Sequence, residues 1–122
     1  MQPGKLRGKI ERLDKERRRL LRELMRPEEM VAGSIYETYK KCGNPNCRCA
    51  REIRHGPFTC LSVTDSGKRR LVFVRRQDEA WVKVCATRYR TYQKMMACVR
   101  KMNDEIFELL KELRNSKLKT YS

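Results

Sequence analysis

The feature that most limits the fold is a stripe of apolar side chains, at alternating three- and four-residue steps, in the second half of the chain. Its members are Val82, Cys85, Tyr89, Tyr92, Met96, Val99, Asn103, Ile106, Leu110 and Leu113. This spacing is typical of a helix that packs against another helix along its length, so it predicts one coiled-coil-like helix over residues 77–115. Such a helix is about 58 Å long. Asn103, its polar member, resembles the buried asparagine that fixes register in coiled coils.

A second, basic helix is predicted over residues 4–26. Arg17 interrupts its apolar stripe, which consists of Leu6, Ile10, Leu13, Leu20 and Leu24. Pro27 ends this helix, because proline disfavours helical backbone at the preceding residue. Residues 34–76 are too few to cover the long helix. Its stripe therefore needs the N-terminal helix folded back antiparallel, a second copy of the chain, or both, and we expect a homodimer through residues 77–115.

The middle of the chain, residues 34–76, has the composition of a small β head. Segments rich in β-branched and aromatic residues occur at 34–40, 57–64 and 69–75. The sequence Asp-Ser-Gly-Lys at 65–68 is turn chemistry that joins the last two segments as a hairpin. The predicted fold class is therefore α+β: a three-stranded antiparallel head between an N-terminal helix and a long C-terminal helix, with a tail at 116–122.

The charge of the chain is strongly unbalanced, with 30 basic and 15 acidic residues and a net charge of +15. Residues 34–76 hold ten basic and three acidic residues, the highest excess for their length. Because such an excess costs stability by self-repulsion, it indicates a polyanionic partner, nucleic acid before an anionic membrane surface. No apolar core of a signal peptide and no run of roughly 18 apolar residues occurs. We therefore expect a cytoplasmic protein, in a compartment where stable disulfides are rare. A membrane-surface helix at residues 4–26 is disfavoured, because its apolar face has no Trp or Phe and no lipidation signal occurs.

Four potential metal ligands lie close together in the head: Cys42, Cys47, Cys49 and His55. Thiolate and imidazole are ligands that zinc prefers. Three cysteines with one histidine form a closed tetrahedral set, which is typical of structural rather than catalytic zinc. The pattern therefore predicts a structural zinc ion that orders the loop and contributes folding free energy to a head with a small core.

Other interpretations of the cysteines stay open at the level of the residues. Cys60 is a rival fourth ligand, since its side chain could point at the loop as well as into the sheet. The loop could instead hold free thiols, with Cys60, Cys85 and Cys98 as small buried apolar residues. A redox pair is disfavoured, because no Cys-x-x-Cys sequence begins a helix, where the pKa of a thiol would be lowered.

The segment 33–58 resembles a family of short uncharacterised bacterial and archaeal proteins. That family has the pattern GS-x4-Y-x2-CG-x-P-x-CRCA, followed by HGP and an aromatic residue, then a hairpin and a long helix. The matching residues are Gly33, Ser34, Tyr39, Cys42, Gly43, Pro45, Cys47, Arg48, Cys49, Ala50, His55, Gly56, Pro57 and Phe58. The resemblance implies zinc bound with His55, since the family usually has an aromatic residue where Cys60 stands. Its members are often encoded near transposases, which implies a mobile-element context and, through it, DNA rather than RNA.

Together these features predict a non-catalytic, nucleic-acid-binding zinc protein that acts as an accessory factor of a recombinase, transposase or RNA-guided effector. The residues expected to contact phosphates are Lys40, Lys41, Arg48, Arg51, Arg54, Lys68, Arg69 and Arg70. Tyr36, Tyr39 and Phe58 could stack on bases of a single strand. The alternative function is a coiled-coil oligomerisation or protein-interaction scaffold. An enzyme is not expected, because the acidic residues are scattered and no nucleophile, base and orienting group occur together.

Overall fold

The computed structural model describes residues 2–40, 46 and 55–121, with the side chains of Lys40 and His55 excepted. Its elements are α1 Pro3–Leu24, β1 Ser34–Lys40, β2 His55–Asp65, β3 Lys68–Phe73, a 3-10 turn Arg76–Asp78 and α2 Glu79–Lys117. The predicted α+β class is confirmed: a three-stranded antiparallel sheet lies between an N-terminal helix and a long C-terminal helix in the chain. The chain divides into the sheet unit, Glu28–Thr91, and the helical unit, Met1–Pro27 with Tyr92–Ser122.

The sheet has the strand order β1-β2-β3, and neighbouring strands pair antiparallel. Leu61 in the central strand pairs with Ile35 on one side and with Val72 on the other. The β2–β3 hairpin turns at Ser66 and Gly67, both with positive φ, as the turn signal in the sequence predicts. The strands thus follow the predicted order, and β2 begins two residues earlier than expected.

The core of the sheet unit lies between one face of the sheet and the first turns of α2. Its buried residues are Leu61, Val74, Val82 and Ala86, with Val31, Ile35 and Val63 packed against them. The Val31 amide donates a hydrogen bond to the Cys85 carbonyl over 3.1 Å, which ties the segment before β1 to α2. Because successive residues of a strand point to opposite faces, the core fixes an inner face, on the side of Leu61, and an outer face, on the side of Cys60.

In the helical unit, α1 buries the apolar stripe that the sequence predicts. Leu6 is fully buried, and the positions that follow it are half-buried: Ile10, Leu13, Arg17, Leu20 and Leu24. Leu24 lines a groove with Met96 and Val99 of α2, whereas Arg17, earlier in α1, contacts Asn103, later in α2. The two helices therefore pack antiparallel, and α1 covers part of the long stripe, which is one of the arrangements expected from the sequence.

The polar residues that interrupt the two predicted stripes contact each other. Arg17 donates a hydrogen bond from Nη1 to Asn103 Oδ1 over 3.3 Å, and another from Nη2 to Asp14 Oδ1 over 2.6 Å. Arg17 Nε is buried and has no hydrogen-bond partner. Sliding one helix by a turn would separate Arg17 from Asn103 and leave more of the guanidinium unsatisfied, which is costly in a partly buried position. This contact therefore favours one register of α1 on α2.

The buried stripe of α2 differs from the predicted one at every second position beyond Tyr92. The buried and half-buried apolar residues are Tyr92, Met95, Val99, Met102, Ile106, Leu109 and Leu113. The prediction is wrong for Met96, Asn103 and Leu110, which are exposed. Both sets keep the three-four alternation and differ by one residue, about 100° around the helix. The face that packs in the helical unit is therefore turned toward Met95, Met102 and Leu109.

The helix ends shift by one or two residues from the predicted bounds. α1 spans Pro3–Leu24 instead of 4–26. α2 spans Glu79–Lys117 instead of 77–115, because an extended Arg75 and the turn Arg76–Asp78 precede it. Asp78 accepts a hydrogen bond from Trp81 Nε1 over 3.0 Å, and its carboxylate is favourable at the positive end of the helix. The tail after the helix accordingly begins at residue 118.

Replacing Leu109 with alanine should cost about 2–4 kcal/mol of the free energy of unfolding, because this side chain is 6% exposed and its loss leaves a cavity. Leu110 is 45% exposed, so Leu110→Ala should cost about 0.5–1 kcal/mol. Urea titration followed by circular dichroism, at low protein concentration, measures both variants. Equal costs for the two neighbouring leucines would contradict the register of α2.

Candidate nucleic-acid interface

Most of the predicted zinc and phosphate ligands lie outside the residues that the structure describes. These are Cys42, Cys47 and Cys49 among the metal ligands, and Lys41, Arg48, Arg51 and Arg54 among the basic residues. For Lys40 and His55 the backbone alone is described. Lys68, Arg69 and Arg70 are described in full and lie together at the start of β3. The described part of the candidate interface is therefore the sheet, whose strands β1 and β2 are joined in the sequence by the cysteine loop, residues 41–54.

The sheet brings the two ends of the cysteine loop together. Lys40, the last residue of β1, pairs with His55, the first residue of β2, after a register irregularity between Thr38 and Lys40. Antiparallel partners lie about 5 Å apart between Cα atoms. The backbone of His55 therefore returns to the sheet beside the point at which the chain leaves β1, and backbone pairing closes the base of the loop.

Two glycines in the segment that carries the family resemblance permit close backbone contacts around β1. Gly56 has a φ of +146°, and a Cβ there would lie 2.8 Å from the Thr38 carbonyl oxygen and 2.8 Å from Tyr39 Cδ1. Gly33 has a φ of +130°, and a Cβ there would lie 2.8 Å from the Ser62 carbonyl oxygen. Glycine alone adopts such backbone angles at low cost and leaves room for this approach. The backbone geometry therefore explains why glycine occupies both positions. Gly56 permits the close approach of β2 to β1 at the base of the cysteine loop.

Cys60 lies away from the loop base, on the outer face of the sheet. It pairs with Tyr36 in β1 and with Phe73 in β3, and it is 5% exposed. At about 3.3 Å per residue, it is about 16 Å along β2 from His55. Burial of the Tyr36 hydroxyl, together with the neighbouring Cys60 thiol, raises the pKa of Tyr36. This position favours a packing role for Cys60 over that of a fourth metal ligand.

A dense positive surface follows the edge strand β3. Residues 68–76 contain five basic residues and no acidic one, and all five are exposed: Lys68, Arg69, Arg70, Arg75 and Arg76. We call them the β3 basic cluster. Arg75 Nε lies 3.6 Å from Asp78 Oδ2, which is a long distance for an ion pair. Lys68, Arg70 and Arg76 form no ion pair with any acidic residue that the structure describes.

The helix α1 is also basic, but several of its cations are engaged within the helix. Arg17 and Arg18 form ion pairs with Asp14, and Arg19 forms one with Glu16. Hydrogen bonds from Arg17 and Arg19 lower the pKa of Asp14 and that of Glu16, respectively. Such exposed pairs add little stability, but they offset positive charge locally. The basic side of α1 is therefore a weaker candidate for phosphate contacts than the β3 basic cluster.

The outer face of the sheet carries exposed apolar side chains beside the cluster. Phe73 is 55% exposed and Leu71 is 60% exposed. The rings of Phe58 and Phe73 lie 5.7 Å apart between centroids and are tilted by 50°. Arg69 shares this face and donates a hydrogen bond from Nε to Ser62 Oγ over 2.7 Å. The face thus combines aromatic rings with a guanidinium that a hydrogen bond holds in place.

Sequence reasoning does not single out Phe73, Arg75 or Arg76 as functional residues. The signal for Phe73 is the alternation of Leu-Val-Phe-Val at 71–74, which separates Leu71 and Phe73 from the two valines. Which pair is buried depends on packing against α2, and Val74 is the one that reaches the core. Among the predicted base-stacking residues, Tyr39 is exposed, whereas Tyr36 and Phe58 are half-buried.

In the part of the chain that the structure describes, no three histidine, cysteine or carboxylate side chains lie close enough together to hold a metal ion. The predicted ligands Cys42, Cys47 and Cys49 and the side chain of His55 are outside that part, so the zinc site stays a prediction. None of the described helices is both long and apolar enough to cross a membrane.

Comparison with known protein families finds one family whose pattern this chain matches. Residues 10–84 match the family described as a domain of unknown function, DUF6788. Because the match covers more than half of the chain, the protein belongs to this family, and the predicted membership of an uncharacterised family is confirmed. The matched range extends from α1 through the cysteine loop and the β3 basic cluster to the first turns of α2. No curated protein and no solved structure matches the chain.

Proposed function

We propose that this protein binds nucleic acid without catalysing a reaction, and that the sheet unit carries the binding surface. The observation that supports the proposal most is the β3 basic cluster, five exposed cations with no acidic residue among them. Like charges in such a cluster repel one another, and a polyanion relieves the repulsion. Phosphate oxygens accept hydrogen bonds from lysine and arginine side chains, and the counterions that they release on binding add affinity.

The positions of the cluster suit an extended backbone of phosphates. β3 is an edge strand, so its flank is open to a partner. Lys68 lies beside the hairpin turn, and Arg76 lies beyond the other end of the strand. About eight residues at 3.3 Å each separate these two residues by at most about 26 Å. A nucleic-acid strand lying along β3 would therefore meet several cations in succession.

The cysteine loop would extend this surface. We include Lys40, Lys41, Arg48, Arg51 and Arg54 in the proposed phosphate contacts because they flank the cysteines in sequence. The loop base lies at the end of β2 that is opposite the hairpin turn. Val74, which donates its amide to the Thr59 carbonyl over 2.9 Å, brings the following Arg75 and Arg76 toward that same end of the sheet.

A structural zinc ion bound by Cys42, Cys47, Cys49 and His55 is part of the proposal. Two described features support it. The paired Lys40 and His55 hold the ends of the loop together, which lowers the entropic cost of closing a metal site within it. Cys60 is buried beside Tyr36 on the sheet, and this position favours His55 over Cys60 as the fourth ligand. Zinc would then contribute folding free energy to the segment between β1 and β2.

The resemblance of the cysteine segment to a family of short proteins supports a role in mobile genetic elements. Proteins with the same cysteine pattern are often encoded near transposases, so we propose an accessory factor of a recombinase, a transposase or an RNA-guided effector. This context favours DNA over RNA as the ligand.

Removing charge from the cluster should weaken nucleic-acid binding. The triple variant Lys68→Gln, Arg70→Gln, Arg76→Gln should lower affinity, and it should reduce the slope of log affinity against log salt by about 0.7–0.9 for each phosphate that is no longer neutralised. Fluorescence anisotropy with labelled duplex DNA, single-stranded DNA and structured RNA over a salt series measures both quantities.

The matched control removes three cations from the end of α2 and the tail that follows it: Arg114→Gln, Lys117→Gln, Lys119→Gln. It should lose much less affinity, because its charges lie outside the sheet unit. Equal losses for the two triple variants would contradict the location of the interface, and the absence of binding by the unaltered protein at low salt would overturn the proposed function.

Zinc content separates the two candidate ligand sets. Plasma mass spectrometry of purified protein should find one zinc ion per chain in the unaltered protein and in Cys60→Ser, and a loss of zinc in Cys47→Ser. Helix content from circular dichroism should change little in Cys47→Ser, because the helical unit has its own buried residues. Full zinc in Cys47→Ser, or a loss of zinc in Cys60→Ser alone, would refute the proposed ligands.

Self-association through α2 is a second candidate function, and it would make the protein a scaffold. The observation that favours it is the pair of exposed apolar side chains Phe107 and Leu110. Residues three positions apart lie about 60° from one another around a helix, so the two form one apolar patch on α2. A second copy of the chain presents the same patch, and we propose it as the partner.

Sedimentation velocity over a range of concentrations tests this homodimer. Leu110→Glu should shift a dimer toward monomer, because it places a charge in the interface, whereas Leu118→Glu, beyond the end of α2, should leave the dimer intact. A monomer at all concentrations in the unaltered protein would exclude the homodimer.

A further inference from the structure

The outer face of the sheet carries exposed apolar and aromatic side chains, which contacts to phosphates alone do not require. Its centre, Cys60, is buried between cross-strand partners, Tyr36 and Phe73, that are both aromatic. Phe73 itself is 55% exposed, and Leu71 beside it is 60% exposed. Two large apolar side chains exposed at neighbouring outer-face positions of one strand are a cost in water, and they therefore indicate a surface that an apolar part of a ligand would cover.

The aromatic rings of this face have a fixed arrangement. Phe58 lies 5.7 Å from Phe73 between ring centroids, at a tilt of 50°, which is the geometry of a favourable aromatic pair. Phe58 is half-buried, so it supports the more exposed Phe73 ring from within the sheet. Phe73 therefore presents a ring that is already oriented before a ligand binds.

A cation lies on the same face at a distance that suits a strand of nucleic acid. Arg69 is four residues before Phe73 on β3, about 13 Å along the strand, and both point to the outer face. The Arg69 guanidinium is held by Ser62 Oγ over 2.7 Å. About 13 Å is the length of roughly four stacked nucleotides at 3.4 Å each. One single strand can thus place a phosphate near Arg69 and a base on Phe73.

The charge around the face decides among its possible occupants. The β3 basic cluster surrounds Leu71 and Phe73 in the sequence, so a second copy of this surface would be repelled. Duplex DNA has a suitable charge, but its bases are already stacked and their faces are not available to a ring. Unpaired bases offer flat faces, and stacking on aromatic side chains is the means by which sheet surfaces bind single strands.

We propose that the outer face of the sheet is a stacking surface for single-stranded nucleic acid, with Phe73 as the residue on which a base stacks and Arg69 as a phosphate contact. This inference rests on the proposed nucleic-acid binding and names its substrate class. It adds base stacking to the phosphate contacts of the cluster. Because stacking reads no base edge, the surface takes DNA or RNA of any sequence.

The test compares strands that differ only in their bases. Anisotropy competition should show that oligothymidine binds at least about fivefold more tightly than an abasic strand of the same length, since each stacked base adds affinity. An oligouridine arm shows whether RNA serves as well. Phe73→Ala should lose at least about fivefold in affinity for oligothymidine and change duplex affinity little. Tyr121→Ala removes an exposed ring from the tail beyond α2 and should change neither affinity.

Each outcome separates the inference from the proposed function. Equal affinities for oligothymidine and the abasic strand, or an unchanged affinity in Phe73→Ala, would overturn stacking while leaving phosphate binding in place. No binding of any strand or duplex would overturn both. If circular dichroism shows that Phe73→Ala does not fold, Phe73→Leu keeps the apolar volume without the ring and should show the same selective loss.

Discussion

The packing of the sheet against the first turns of α2 is the constraint on which the rest of the sheet unit depends. Leu61 and Val74 are buried against Val82 and Ala86, and strand alternation then assigns every other side chain to a face. The same choice turns Arg69 and Phe73 outward. A shift of β3 by one residue would turn Phe73 and Arg69 inward and Val72 and Val74 outward, so the core that holds the unit together also positions the proposed interface.

The helical unit and the sheet unit differ in how their cations are paired and in how much apolar surface they bury. In the helical unit, Arg17, Arg18 and Arg19 are paired with acidic neighbours, and Leu6 and Leu109 are buried. The sheet unit has a small core and a basic cluster whose cations are largely without acidic partners among the described residues. Unrelieved repulsion next to a small core is a stability cost. A polyanionic partner and a metal ion in the cysteine loop are two sources of free energy that would offset it.

The helices and strands could be predicted from the sequence. The buried face of α2 could not, because neighbouring residues there are of the same type. Turn residues and alternation located the hairpin, and the three-four spacing located both helices. The seam of α2 could not be placed because Met95 and Met96 are the same residue type, as are Leu109 and Leu110. The pair Met102 and Asn103 alone distinguished the two seams, and an asparagine was as compatible with a register-fixing role as with exposure. The exposure of Phe73 could not be predicted either, because only the packing of Val74 in the core shows which face of β3 is exposed. The cysteine loop lies outside the described residues, so its metal ligands are assigned from their spacing and from the family resemblance.

Hydrogen exchange measured by mass spectrometry gives the sharpest test of whether the sheet unit binds nucleic acid. The zinc-loaded protein is compared with and without a saturating single-stranded oligonucleotide. We expect slower exchange in peptides that cover β2, β3 and residues 74–76, and no change in peptides from residues 100–117 of α2. Protection confined to α1 or to the end of α2, with none in the sheet, would contradict binding by the sheet unit.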